Sequence, residues 1–249
     1  MGLILISNNE NIHGKQYILK VSLEMLKQIS YFATNIIATE RSRFELKGLN
    51  HNILSINGLY IIEAGSIVAD KVTNGEFTMN PQWQDYIDIH YPELFKAQKD
   101  LNKIINTLDI KTEDQHRLET VILTKKYQNA DNRNNEIYKK LEEQVKSHES
   151  YWEFKKNDKY FIIHPNGISK GSTIKQLNQI GLATKDFIAL GDLHLDIEML
   201  ENAYKGFVPR DAEIMKKMQG LKNITSSNAK NFYATLEILK IIHSEIYKN

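Results

Sequence analysis

Residues 3–38 read LILISNNENIHGKQYILKVSLEMLKQISYFATNIIA, and this stretch decides the predicted fold. It opens and closes on short unbroken apolar runs, 3–6 and 36–38, which are typical of parallel strands covered on both faces. Between these runs, apolar residues recur at steps of 3, 4 and 4 and place one stripe along a helix: Ile18, Val21, Met25 and Ile29. The stretch is therefore predicted to be a β-α-β unit.

The same alternation returns further along the chain. Apolar runs at 59–62, 187–190 and 206–208 predict strands, and 172–180 and 197–202 predict helices. A closing helix is indicated by Phe232, Leu236, Leu239 and Ile242 at steps of 4, 3 and 3. We therefore predict an α/β protein with a doubly wound, mostly parallel sheet.

The middle of the chain has a different pattern. Charged helical stretches cover 93–108 and 133–146, and 120–123 predicts a strand. Residues 151–163 predict an antiparallel hairpin that turns around Asn157 and Asp158. We expect an α+β domain at 80–164, inserted into a core domain formed by 1–79 and 165–249.

Composition narrows the function classes. The 249 residues carry 32 Lys and Arg against 31 Asp and Glu, a net charge of +1 that gives no electrostatic argument for nucleic acid. The chain has no cysteine, which excludes disulfides, a thiolate nucleophile and cysteine-ligated metals. No apolar run approaches the roughly 20 residues of a membrane-spanning helix. We expect a cytoplasmic protein with no membrane or nucleic-acid partner.

Candidate site residues follow the predicted strands, because ligands of an open parallel sheet bind beyond the carboxyl ends of its strands. Segments 7–11, 39–42 and 191–196 follow strands, and 169–172 precedes a helix. Together they offer a hydroxyl, a lysine and two carboxylates, which suit a phosphate group and Mg²⁺: Thr39, Lys170, Asp192 and Asp196. Each of these residue types is also common as a helix cap or turn former, so a purely structural role stays open for any one of them.

These segments resemble the four motifs of the haloacid dehalogenase superfamily of phosphohydrolases, in its sucrose-phosphate phosphatase-like and Cof-type branch. The signature Ser-Asp-Leu-Asp-Asn-Thr is matched by 7–12, and Ala-Thr-Gly-Arg-Ser by 38–42. A Lys-Gly turn is matched by 170–171, and Gly-Asp-Ser-x-Asn-Asp in part by 191–196. The resemblance runs nearly from end to end, and it makes the insertion a cap domain that closes over the substrate.

The resemblance implies a role for each matched position. Asn8 occupies the place of the nucleophilic aspartate, and Glu10 that of the acid/base. Thr39 and Lys170 would hold the transferring phosphoryl group, and Asn8, Asp192 and Asp196 would place Mg²⁺. Arg41, together with Lys125, Lys126 and Trp152 of the cap, would contact a sugar phosphate. For Trp152 a place in the core of the hairpin is the alternative, and for the two lysines a solvated position on the surface.

Asn8 is the largest departure from the family pattern. A carboxamide is a poor nucleophile, and no aspartate occurs before Asp70 that could replace it. Glu40 replaces a glycine, and Leu193 and Leu195 replace polar residues of the fourth motif. We expect a monomer that recognises a phosphorylated sugar or similar small phosphate ester and hydrolyses it poorly. An active Mg²⁺-dependent phosphatase and a non-catalytic interaction module remain alternatives.

Overall fold

The structure is a computed structural model that describes residues 2–5, 16–47, 58–73, 76–92, 99–103, 106, 122–125, 139–143, 146–147, 152–156, 160–218 and 220–247. Three predicted site residues, Asn8, Glu10 and Lys126, lie outside these ranges. For Lys125 the backbone position at the end of a strand is described.

The strands of the described residues form two sheets. They are β1 (Gly2–Leu5), β2 (Thr34–Ala38), β3 (Gly58–Ile62), β4 (Ile67–Thr73), β5 (Glu76–Met79), β6 (Ile122–Lys125), β7 (Trp152–Lys156), β8 (Tyr160–Pro165), β9 (Phe187–Leu190), β10 (Lys205–Val208) and β11 (Ile224–Ser226). The large sheet has the order β11-β10-β9-β1-β2-β3-β4-β5, and the small sheet has the order β6-β8-β7.

Most of the large sheet is parallel. β1 lies between β2 and β9 and pairs parallel with both, so that Leu3 is opposite Asn35 on one side and Ile188 on the other. The pairs β2·β3, β9·β10 and β10·β11 are also parallel. Beyond β3, the last two strands, β4 and β5, pair antiparallel. The predicted α/β fold with a mostly parallel sheet is therefore confirmed.

Helices cover both faces of the large sheet. They are α1 (Gln16–Ser30), α2 (Arg43–Lys47), α3 (Pro81–His90), α4 (Lys170–Gln179), α5 (Ile197–Asn202), α6 (Met215–Met218) and α7 (Asn231–Ile246). On one face, Ile29 of α1 and Ile242 of α7 pack with Phe207 of β10. On the other face, Leu177 of α4 packs in one cluster with Ile61 of β3. Helices on both faces explain why the parallel strands are unbroken apolar runs. A membrane span would need a longer or more apolar helix than any in the described part of the chain.

The middle of the chain contains the predicted hairpin. β7 and β8 pair antiparallel, with Trp152 opposite Pro165 and Lys156 opposite Phe161, and β6 pairs with the other side of β8. Described helical residues at 99–103 and 139–143 lie inside the two predicted charged helices. The boundaries at 80 and 164 stay a prediction.

Helix α3, the first helix of the predicted insertion, packs on the large sheet. The Asn80 side chain accepts a hydrogen bond from the Trp83 backbone N–H at 2.9 Å and so caps the helix. The Trp83 indole Nε1 donates to the Ser66 carbonyl at 3.1 Å, and its ring lies in the same buried cluster as Ile61. This helix therefore begins just after β5 and covers part of the large sheet.

The sequence patterns did not predict β4, β5 and β11. Asp70 and Lys71 interrupt the apolar residues of β4, and β11 has only three residues, two of them exposed. Short or interrupted strands give no periodic signal, and it is pairing with a neighbour that defines them.

Candidate active site

Two loops of the candidate site leave the same edge of the large sheet. Thr39 follows β2 and Asp192 follows β9, and both strands flank β1 in parallel. The carboxyl ends of these strands therefore meet at one edge, and Lys170 reaches this edge from the start of α4. The structure thus brings together the second, third and fourth motifs, while the first lies outside the described residues.

Lys170 is a buried cation held by two carboxylates. Its side chain is 1% exposed, and its Nζ lies 2.7 Å from Asp196 Oδ1 and 2.8 Å from Glu40 Oε1. Burial by itself lowers the pKa of Lys170, but the charges and hydrogen bonds of Asp196 and Glu40 outweigh that effect and raise it above the ordinary lysine value. Lys170 is therefore charged throughout the neutral range.

Asp196 is fixed by the loop that carries it. The residue is fully buried, and its Oδ2 accepts hydrogen bonds from the backbone N–H groups of Asp192 and Leu193, each at 3.0 Å. A Cβ at Gly191 would come within 2.6 Å of the Asp196 Cβ, so only glycine allows this close approach. Both oxygens of Asp196 are thus engaged, one by the loop and one by Lys170.

Thr39 and Arg41 lie in a tight turn after β2. The Thr39 backbone N–H donates to the Ile61 carbonyl at 2.8 Å, which extends the pairing of β2 with β3 by one residue. The Thr39 Oγ1 accepts from the Arg41 backbone N–H at 3.2 Å. This hydrogen bond orients the buried hydroxyl at the end of the strand, where the resemblance places a phosphoryl contact.

Ser42 of the second motif begins α2. Its Oγ accepts from the Glu45 backbone N–H at 3.2 Å, and the Glu45 carboxylate accepts from the Ser42 backbone N–H at 2.7 Å. This reciprocal pair is a capping box. The hydroxyl at this position of the motif therefore has a structural role.

A left-handed turn after β3, which the sequence reasoning missed, supports the start of α4. Glu63, Ala64 and Gly65 have φ values of 50°, 59° and 119°. The Gly65 carbonyl accepts from Thr173 Oγ1 at 3.0 Å, and a Cβ at Gly65 would lie 2.6 Å from the Ser169 carbonyl oxygen. The turn thus fixes the helix end that carries Lys170. A glycine shortly after an apolar strand was the only sequence signal for it.

The predicted substrate-binding residues are only partly described. Trp152 is 3% exposed and lies in the main buried cluster, an environment typical of packing. Its contact with a substrate, and those of Lys125 and Lys126, stay predictions. Arg41 lies on the Thr39 turn, and its carbonyl accepts from the Glu63 backbone N–H at 3.1 Å.

Two of the three predicted Mg²⁺ ligands, Asp192 and Asp196, lie within the described residues. Among the described residues no group of three or more histidine or acidic side chains is arranged to hold a metal ion, and Asn8 and Glu10 are not included in that search. Asp192 lies half-buried on the loop after β9 and offers the hard oxygen that Mg²⁺ prefers. Asp192 is therefore suited to bind the metal ion. Asp196 has both oxygens engaged and is suited instead to position Lys170.

The fold and the loops at this edge of the sheet define a class of α/β proteins whose ligand site lies beyond the carboxyl ends of parallel strands. The sequence model of the haloacid dehalogenase-like hydrolases matches residues 44–231, and the chain belongs to that family. The match begins after the first two motifs. Sequence comparison with curated proteins gives no match.

Solved structures with the same fold cover nearly the whole chain. The sucrose-phosphatase of Synechocystis sp. PCC6803, in complex with sucrose and phosphate, is similar with a TM-score of 0.73 at 17% identity, over 99% of this chain and 98% of that one. The C-terminal domain of trehalose-6-phosphate phosphatase from C. albicans has a TM-score of 0.59 at 15% identity, over 97% and 91%. A haloacid dehalogenase-like hydrolase from Bacteroides thetaiotaomicron has a TM-score of 0.63 at 15% identity, over 96% and 98%. At these identities the likeness concerns the fold.

Proposed function

We propose that this chain recognises a phosphorylated sugar or a similar small phosphate ester at the edge of the large sheet, and that it hydrolyses this ligand poorly. The buried, charged Lys170 at the meeting point of the loops is the observation that carries the proposal. A fixed ammonium in a site of low dielectric interacts strongly with the oxygens of a phosphate group. The two sugar-phosphate phosphatases of similar fold support the ligand class.

The chemistry would be divided among the chain's own residues. Lys170 and the Thr39 hydroxyl would hold the phosphoryl oxygens, and Asp192 would bind Mg²⁺ directly or through water. Mg²⁺, when bound, would offset the negative charge of the phosphoryl group. Asp196 would position Lys170 through the contact at 2.7 Å.

Asn8 would impair hydrolysis because it cannot do what an aspartate does at that position. The nitrogen lone pair of its amide is delocalised and its oxygen carries no full charge, so attack on phosphorus is slow. Glu10 keeps an acid/base group but on a longer arm, and a displacement of about 1 Å in such a group can cost on the order of 100-fold in rate.

Phosphate release from a panel of sugar phosphates with Mg²⁺ tests the proposal. The wild type and Asn8→Asp are compared with Asn9→Asp, which makes the same chemical change one residue along the motif. We expect turnover in Asn8→Asp and little in the other two. Efficient turnover by the wild type that is lost in Asp192→Ala would instead establish an active phosphatase.

Ligand binding is tested separately, because impaired hydrolysis does not require impaired binding. We expect sugar phosphates with Mg²⁺ to raise the melting temperature of the wild type, since a ligand of the native state stabilises by mass action. The rise should persist in Lys175→Met, an exposed lysine of the same helix, and disappear in Lys170→Met. If no phosphate ester of the panel shifts the wild type, the proposed recognition is wrong.

A further inference from the structure

The buried ammonium of Lys170 already binds an anion that belongs to this chain. A lysine ammonium has three N–H donors. In the structure Nζ lies within hydrogen-bond distance of Glu40 and of Asp196, at 2.8 and 2.7 Å. Among the described residues, two negative charges therefore contact this one positive charge, and a phosphate group that approaches Lys170 competes with them.

The two carboxylates are held with different strength. Asp196 is fully buried, and its second oxygen accepts two backbone hydrogen bonds, so its removal from Lys170 would leave a buried charge without its cation. The Glu40 side chain is 23% exposed and lies on the loop after β2. A partly exposed carboxylate can exchange its ammonium contact for water at a smaller cost. Glu40 is therefore the partner that a ligand can displace.

Glu40 connects the buried Lys170 with solvent. Lys170 is 1% exposed, whereas the glutamate that contacts it reaches solvent. Thr39, the neighbour of Glu40 in the chain, has its hydroxyl oriented by the backbone of Arg41. Within the described part of the chain, Lys170 is thus connected to solvent through a carboxylate of the protein itself.

We infer that Glu40 is a built-in anionic occupant of the Lys170 site, which an incoming phosphate group must displace. This inference rests on the proposed function and adds a regulation of the same site. The apparent affinity for a ligand falls in proportion to the fraction of molecules whose site is open. If Glu40 closes the site in about nine molecules of ten, the apparent Kd is raised about tenfold.

Binding of inorganic phosphate, measured by calorimetry, tests the inference. Glu40→Gln removes the charge but keeps an oxygen that can accept from Lys170, and Glu40→Gly removes the whole side chain. Glu24→Gln is the matched control, because Glu24 is exposed on α1 and the change in net charge is the same. We expect both Glu40 variants to bind phosphate about tenfold more tightly than the wild type or more, and the control to bind like the wild type.

A double variant, Glu40→Gln with Lys170→Met, shows whether the gain in phosphate affinity depends on Lys170. We expect the gain to be lost in it. Circular dichroism of each variant checks the fold, and if Glu40→Gly does not fold, Glu40→Gln alone decides.

Three outcomes would overturn the inference. Equal phosphate affinity in the wild type and the Glu40 variants overturns it, and leaves the proposed function standing if that binding depends on Lys170. A gain that persists in the double variant also overturns it. Absence of binding in every variant overturns both the inference and the proposed recognition of phosphate.

Discussion

At the scale of single residues, the pair of Asp196 and Lys170 is both the centre of the site and part of the core. Because both side chains are buried, Asp196→Asn removes one of the two carboxylates that contact the lysine charge among the described residues and leaves Glu40. We expect the free energy of unfolding to fall by about 3 kcal/mol, the range for breaking a buried pair. Urea unfolding at pH 7 measures it. Asp186→Asn, an exposed aspartate before β9, is the matched control and should change stability by less than about 0.5 kcal/mol.

The pH dependence of the same variant follows from the raised pKa of Lys170. A lysine with a folded-state pKa above its unfolded value adds stability that is complete below about pH 10.4 and is lost as the pH rises through the folded value. Asn at position 196 removes one of the two charges that raise this pKa. The stability difference between wild type and Asp196→Asn should therefore be constant from pH 7 to 9 and shrink above about pH 10.4. A difference that grows at alkaline pH would contradict this explanation.

At the scale of elements, the turn at 63–65 controls where α4 begins. Gly65→Ala places a Cβ at a φ of 119°, 2.6 Å from the Ser169 carbonyl oxygen and 2.5 Å from Thr173 Oγ1. Gly181→Ala is the matched control, because Gly181 also has a positive φ, 78°, but no atom within 4 Å of the added Cβ. We expect Gly181→Ala to cost about 1 kcal/mol from the backbone alone, and Gly65→Ala about twice that or more.

Phosphate affinity, measured in the same two variants, separates an effect on the position of Lys170 from an effect on the stability of the fold. If α4 shifts, phosphate affinity through Lys170 should weaken in Gly65→Ala and stay unchanged in Gly181→Ala, with both variants measured below their melting temperatures. Equal affinities in the two variants would show that the turn stabilises the fold without positioning Lys170.

These elements also show how much the sequence could predict. Most of β2, β3 and β9 was predictable because strands buried on both faces are mainly apolar, and all but the first residues of β2 and β3 are buried. The buried Asn35 of β2 is polar and lay outside the predicted run. The convergence of Thr39, Lys170 and Asp192 followed from the rule that parallel strands end at one edge. The contact between Glu40 and Lys170 could not be predicted, because it joins positions 130 residues apart and no local pattern reports it. In the sequence Glu40 was only a departure from a motif.

At the scale of the whole molecule, one buried cluster connects the two sheets. It contains Ile61 of the large sheet and Trp83 of helix α3, which packs on that sheet, together with Trp152 and Ile163 of the small sheet. A continuous core favours a single cooperative transition even in a chain of 249 residues.

The chain has two tryptophans, and each reports on a different sheet. In Trp83→Phe the fluorescence follows Trp152 alone, and in Trp152→Phe it follows Trp83 alone. Within each variant, we expect the urea midpoint from fluorescence to coincide with the midpoint from far-ultraviolet circular dichroism, because neither sheet can lose the shared cluster separately. If the Trp152 signal changes at a lower urea concentration than the Trp83 signal, measured against circular dichroism in each variant, the small sheet unfolds on its own. The small sheet, without helix α3, would then be an independent folding unit, and the shared cluster would contribute little to its stability.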